Sequence, residues 1–334
     1  AGEGRVTSDT DPSAIGMWKI KDDTLAWLKN NPFRVSPISQ SGQLGLLSNA
    51  EFLSEDDFEN IQSKLNNGES GYRINAKIDF KPTLGVNLTF GASHDFEDDD
   101  FHQQGYSLLN WDNMPHYLTT TQRLFGRITQ KFGSQDDGKE SSSLVKNAFY
   151  SINFDYNKYA YDLEHKNHGS NLFNYGYVGR FQTYQDKFFI DSLVNGDPQQ
   201  AIAVHVANFD TLYTFEPSNI NPDLSSYTSA YYDLYESNVG SITNQYLLQG
   251  LGLRNGDQPS RVYSLWDNFG DIYGAYRKYD TRQFSVKAEA AADIGDHEIS
   301  FGFEYQKRKF NYFYCAAPAL WNRMRALTNT HILE

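Results

Sequence analysis

From Gly71 onward the chain alternates apolar and polar residues over long runs, and this period of two limits its fold more than any other feature. Tyr72, Ile74, Ala76, Ile78 and Phe80 alternate with Arg73, Asn75, Lys77 and Asp79. Successive side chains on a strand point to opposite faces, so such a run predicts a strand with one apolar and one polar face. Residues 81–83 make a tight connection, after which Leu84, Val86, Leu88, Phe90 and Ala92 repeat the pattern. Phe284, Val286, Ala288, Ala290 and Ala292, then Ile299, Phe301, Phe303 and Tyr305, form a second pair around a turn at 293–297. Three further strands are centred on Leu124, Gly126, Ile128 and Phe132, on Ala148 to Tyr156, and on Tyr175 to Thr183. A weaker one covers residues 205–215. The runs reach about nine to eleven residues, where soluble strands usually have about five or six.

The connections add a second constraint. Those at 81–83, 133–144 and 293–297 are short or compact, whereas 93–120, 161–172 and 216–280 are long. Transmembrane barrels alternate in this way, with short periplasmic turns and long extracellular loops. Residues 184–204 break the rhythm, because a short turn belongs there. Residues 1–70 lack the alternation and read as an irregular segment with a short helix. Asp22 to Leu28 fits one or two helical turns. Ser54 followed by Glu55, Asp56 and Asp57 resembles a helix start, with Phe58, Ile61 and Leu65 on one face.

Composition excludes several classes. With 42 Asp+Glu against 29 Lys+Arg, the net charge of -13 opposes nucleic-acid binding. No apolar run approaches the roughly 18 residues of a membrane-spanning helix. The lone Cys315 excludes a disulfide framework and any Cys-based zinc site. The 23 Tyr and 23 Phe are a heavy load, suited to aromatic rings on β faces. No initiator Met or signal peptide heads the chain, and no Pro-, Gly- or Ser-rich linker divides it. It reads as a processed protein or an excised piece of a longer one: an irregular segment over 1–70, then barrel strands and loops over 71–334.

Motifs for chemistry fail on inspection. Ser93, His94 and Asp95 are consecutive on a strand and cannot converge as a triad. Residues 250–256 (GLGLRNG) miss the dinucleotide fingerprint and its strand–turn–helix setting, and read as a flexible loop. His165 and His168 lie in a polar stretch without a zinc-site pattern. Asp95 to Asp100 is the densest oxygen cluster; its EF-hand turn position is Asp100 rather than Gly, so a solvated acidic loop is the default over calcium. No catalytic residue, metal ligand or cofactor is assigned, and the ligand-binding residues are unknown. Tyr227, Tyr231, Tyr232, Tyr235, Trp266, Tyr273 and Tyr276 crowd one long loop, where packing the loop onto itself is favoured over gripping a sugar or peptide.

Residues 51–61 (EFLSEDDFENI), 80–93 (FKPTLGVNLTFGAS), 215–235 (FEPSNINPDLSSYTSAYYDLY), 261–266 (RVYSLW), 292–305 (ADIGDHEISFGFEY) and 319–332 (ALWNRMRALTNTHI) carry a resemblance in their order. The series resembles the early barrel of a Bacteroidetes-type TonB-dependent outer-membrane receptor, closer to the Oar-like than to the SusC-like members. It covers residues 48–334 and is most specific over 282–334. The resemblance implies an antiparallel transmembrane β-barrel of about 22 strands around a plug. It also implies import of a large or scarce nutrient when TonB pulls the plug from the periplasm. Plug and energy-coupling segments have no counterpart in these residues, so no family site residue carries over. The chain supplies about eight strands, roughly the first third of such a barrel, with long extracellular loops.

Several expectations follow. Ile74, Ile78, Val86, Leu88, Tyr150, Ile152, Phe154, Val286 and Phe301 face outer-membrane lipid, while Asn75, Asp79, Asn87, Asn153 and Lys287 face the lumen. The partners are lipid, the rest of the receptor, TonB through the plug, and an unknown extracellular substrate. Two sheet edges, near Tyr72 and Phe303, stay unpaired. The alternative is a secreted all-β module that holds carbohydrate or peptide in its aromatic loops, which needs one apolar face buried in a sandwich core. An all-β hydrolase would need convergent acids or a nucleophile.

Overall fold

The computed structural model describes residues 18–37, 45–132, 145–194, 196–248 and 251–328. The segment before the alternating region holds β1 (Trp18–Ile20), α1 (Asp22–Asn30), β2 (Phe33–Val35), β3 (Leu46–Ser48) and β4 (Phe58–Asn60). Here β1 pairs with β4 and β2 with β3. The helix expected after Ser54 is a single 3-10 turn, Glu55–Asp57. The Asp57 carboxylate accepts both the Ser54 N–H at 2.7 Å and the Ser54 hydroxyl at 3.0 Å. The cap forms, but Phe58 then enters β4 opposite Ile20 and the helix stops there.

The alternating runs form β5 (Glu69–Thr83), β6 (Val86–Asp100), β7 (Pro115–Lys131) and β8 (Val145–His165). A short helix, α2 (Gln104–Ser107), lies between β6 and β7. The next two strands are β9 (Gly179–Val194) and β10 (Asp197–Pro217), followed by α3 (Pro222–Asn238). The chain closes with β11 (Ala275–Ile294), β12 (His297–Ala316) and α4 (Pro318–Thr328). Six strands make one antiparallel sheet, in the order β12-β11-β8-β7-β6-β5. They are 15 to 21 residues long, beyond the lengths expected from sequence.

The remaining pair, β9 and β10, forms a hairpin of its own outside that sheet. This corrects the count: of the about eight strands expected in one barrel wall, six share this sheet, and the candidates at 175–183 and 205–215 belong to the hairpin. It also removes the one irregular connection. Residues 184–204 run up to and past the tip of an inserted hairpin, so everything between β8 and β11 is one excursion from the long-loop end. Among the described residues the connections are then short at 84–85 and 295–296 and long at 101–114 and 166–274. The compact connection at 133–144 lies outside them. No closed barrel forms: β5 and β12 each have a neighbour on one side only.

Register fixes the faces. Ile78, Phe90, Gly126, Phe154, Val286 and Tyr305 stand in one row across all six strands. The next row, Phe80, Leu88, Ile128, Ile152, Ala288 and Phe303, lies on the same face. Two strand glycines owe their place to aromatic neighbours on opposite faces. The Phe125 ring lies across Gly91, 2.2 Å from where a Cβ would stand, and Phe90 covers Gly126 at 3.6 Å. Cross-strand pairs of this kind pin register.

The buried core sits elsewhere. Ile20, Leu28, Leu109, Val178, Leu224, Tyr227, Ile242 and Phe269 form a cluster at the long-loop end, built from the N-terminal segment, α3 and loop residues. Asn221, Pro222 and Asp223 open α3. Leu224, Tyr227, Thr228, Tyr231, Tyr232 and Tyr235 then recur at helical spacing and are all buried. Tyr227 stacks on Phe269 at 4.6 Å and donates its hydroxyl to the Phe269 carbonyl at 3.0 Å. Replacing Tyr227 by Phe should cost the loop layer about 1 kcal/mol, and replacing it by Ala about 3–5 kcal/mol. Urea unfolding followed by near-UV circular dichroism measures both; equal effects would show that the ring's packing adds nothing.

Candidate functional site

The sheet's two faces are chemically opposite. On one, Ile78 and Phe301 are 68% and 73% exposed, Gln130 accepts the Tyr150 hydroxyl at 2.6 Å, and Lys307 ends the Ala76 row on β12. The five rows from Ala76 down to Ala292 span about 27 Å of strand, or about 20 Å in height at a tilt near 40°. Across the sheet, charge replaces them. Arg73 pairs with Asp95 at 2.6 Å, Lys77 with Asp79 at 2.9 Å, Arg123 with Asp155 at 2.6 Å and Lys287 with Glu304 at 3.3 Å. All nine residues expected on the apolar face, and all five expected on the polar one, lie where the alternation puts them.

Near the long-loop end the polar face becomes aromatic. Tyr117 meets Tyr161 at 5.3 Å, Tyr159 meets Tyr279 at 5.8 Å, and Tyr279 meets Phe310 at 4.8 Å. Arg277 lies over the Tyr314 ring at 5.4 Å. Glu69, Glu97 and Asp99 stand beside this lane on β5 and β6, on the same face. Such a surface offers ring faces and carboxylates together, the chemistry that holds sugars or cationic groups.

A cleft of about 770 Å³ opens where the base of the β9–β10 hairpin meets α4. Its floor carries Phe181, Thr183, Gln185 and Asp210, and its walls carry Tyr246, Trp321 and three arginines. Asp257 binds Arg254 and Arg325, each at 2.9 Å. The third, Arg180, makes no ion pair with the described residues. Sequence reasoning missed this cleft, because Arg180, Arg254 and Arg325 come together only through the hairpin and α4.

The residues singled out from sequence divide clearly. Asp95 faces Arg73, while Ser93 and His94 point to opposite sides of β6, so the three do not converge. Asp98 and Asp100 both reach His116, at 3.4 and 3.1 Å, and Asp100 also reaches Lys166. The acidic run is therefore strand rather than loop; Asp95 meets Arg73 and Asp100 meets Lys166, while Asp99 Oδ1 is buried without a hydrogen-bond partner. Among the described residues no group of three His, Cys, Asp or Glu side chains is placed to hold a metal ion. The Gly-rich stretch, described from Leu251 on, is packed: Leu253 is buried, and Asn255 accepts the N–H groups of Val178 and Gly179. The loop tyrosines pack the loop, with Tyr227, Tyr231, Tyr232, Tyr235 and Tyr276 buried.

His165 and His168 depart most from expectation. They end β8 and the turn after it, both buried, with rings stacked at 4.4 Å. The Asn167 N–H donates to His165 Nδ1, so the Nε2 proton goes to Asn113 Oδ1 at 3.1 Å. His168 Nε2 donates to Asn221 Oδ1 at 2.7 Å, ahead of α3. Burial, with His168 as a second cause, pushes His165 down to about 3, and burial also lowers His168. In the same layer, burial and then Asp267 push Asp271 up to about 7. Asp271 Oδ1 is buried without a partner.

No protein-family model matches the chain, and a search of curated proteins found no match.

These two groups give opposite pH dependences. A folded pKa below the unfolded value near 6.5 means that the His165 contribution is complete above pH 6.5 and lost as pH falls toward 3. The loss is roughly 1.4 kcal/mol per pH unit. A flat urea midpoint over that window in Asp271→Asn, where the opposing titration of Asp271 is removed, would remove the histidine pair as the cause. Asp271 is raised instead, so its contribution is complete below about 3.8 and lost as pH rises toward 7. Asp271→Asn should therefore stabilise the loop layer by about 2 kcal/mol at alkaline pH and leave it unchanged in acid.

Proposed function

We propose that the six-stranded sheet is part of the wall of a TonB-dependent outer-membrane receptor, which imports a large or scarce nutrient across the bacterial outer membrane. The observation that carries this reading is the apolar band, continuous over six long strands and backed by a charged face. A bilayer solvates such a band, and a water-filled lumen solvates the opposite face. A secreted binding module would bury the band against a second sheet. Among the described residues nothing packs over Ile78, Phe90 or Phe301, which stay largely exposed.

In this reading the loop layer with its own core is extracellular. The tyrosine lane lines the lumen mouth, and the arginine cleft faces the medium. Substrate meets these aromatic and charged surfaces before passing the plug, which TonB moves from the periplasm. The strand residues do no chemistry; they hold the wall and present the lumen lining.

Single charges test the assignment. An arginine at Val286, at mid-height of the outward face, should cost about 2–4 kcal/mol of stability in a bilayer, whereas Lys287→Ala next to it should cost less than about 0.5 kcal/mol. Unfolding of the complete receptor from lipid vesicles measures both. Equal costs would mean that the outward face does not meet lipid. Protease added to intact cells should cut within the 166–274 excursion and spare the turns at Gly85 and Gly295; the reverse pattern inverts the orientation.

A further inference from the structure

At the long-loop edge of the apolar band the outward face turns basic. Register aligns Lys158 of β8, Arg282 of β11 and Lys309 of β12 in one row, with Lys307 one row below on β12. Neighbouring strands are about 4.8 Å apart, so three cationic stems stand within about 10 Å. Lys158, Lys307 and Lys309 make no ion pair or hydrogen bond with the described residues. Arg282 pairs with Asp280 at 2.9 Å. Asp280 is the one acid in the adjoining row, where its neighbours are Ala160 and Asn311. The patch thus keeps a net charge near three, positive, at the border of an apolar surface.

Beneath it lies a groove of about 570 Å³ on the same face. The small residues Ala76, Ala92 and Gly126 form its low floor, and Phe90, Phe154, Tyr156 and Phe284 border it. Tyr156 and Phe284 sit two residues along their strands from Lys158 and Arg282, so the groove runs up to the basic row.

Cations above an apolar groove match one ligand shape: a phosphate headgroup carrying acyl chains. Resting on the membrane reading, we infer that this patch binds a phosphate-bearing lipid of the outer leaflet, with the phosphate on Lys158, Arg282 and Lys309 and an acyl chain in the groove. Basic pockets at membrane depth recognise lipid phosphates in this way, and each Lys or Arg near the surface strengthens binding about five-fold.

The test uses the complete receptor of which this sheet is a part, in phosphatidylcholine nanodiscs, with diphosphorylated lipid A or its dephosphorylated form as probe. Retained lipid is read by native mass spectrometry. The diphosphorylated lipid should be retained preferentially. Lys158→Gln and Lys309→Gln should each weaken it about five-fold, while Lys287→Gln, on the other face, should not. Phe284→Ala, which opens the groove without changing charge, should weaken both lipid forms alike. Equal retention of the two forms, or loss to inorganic phosphate as competitor, overturns the headgroup assignment and leaves the membrane reading standing. Failure to enter neutral nanodiscs at all overturns both.

Discussion

Everything in this protein follows from the backbone pairing of six long strands. Each interior strand satisfies its N–H and C=O groups on both sides, so the sheet needs no second layer to meet its backbone. What remains open is the side chains. Because their period is two, a shift of one residue in any pairing would send Ile78, Phe154 or Phe301 to the charged face and Asp79 or Asn153 to the apolar one. The ion pairs of the charged face and the Gly91–Phe125 and Gly126–Phe90 contacts act against such slips. They contribute little stability as exposed pairs, and more by making one register better than its neighbours.

The second consequence is a division of labour. A sheet that leaves its apolar face uncovered builds no core there, and the described core lies at the long-loop end. That layer resembles an ordinary soluble domain in its physics: a helix with one buried face, stacked aromatics and polar groups tied to backbone carbonyls. Its weak points are titratable groups that had to be buried. His165 and His168 link the end of β8 to Asn113 in one loop and to Asn221 before α3, so the pair ties the sheet to its cap. Asp271 and the histidines pull in opposite pH directions, so their contributions largely offset each other between about pH 4 and 6.5.

The sheet was legible in the sequence because alternation is a local signal. Residues two apart report one face, and strand ends need only a few turn residues. The excursion after β8 was not. The hairpin at 179–217 shows the same alternation as a wall strand, and only its pairing partners separate the two. The α3 signal was present, in Asn221-Pro222-Asp223 and in tyrosines four apart at 227, 231 and 235, but it sat inside a stretch read as loop. Phe58 failed in the other sense: a sound capping sequence was overruled by pairing with Ile20. The arginine cleft and the basic row depend on register between strands far apart in the chain. Lys158 and Lys309 are neighbours through β11 alone, a relation that no local spacing encodes.

The edges carry the argument furthest. β5 and β12 are exposed along nearly their whole length, on both faces, and each presents a row of backbone groups without a partner strand. In water such edges invite aggregation, and β5 is guarded only by Pro82 near its end and by charges such as Arg73 and Lys77. In lipid they are worse, because no solvent is present to satisfy them. The membrane reading therefore requires further strands on both edges, since a sharper curl of this sheet alone would still leave the edge backbone groups of β5 and β12 unpaired in hydrocarbon. Six strands closing on themselves would also force Lys77, Arg123, Asp155 and Lys287 into a lumen too narrow for them, as even eight strands leave room only for packed side chains. The charged face makes sense in a wide lumen, and a wide lumen needs many more strands than six.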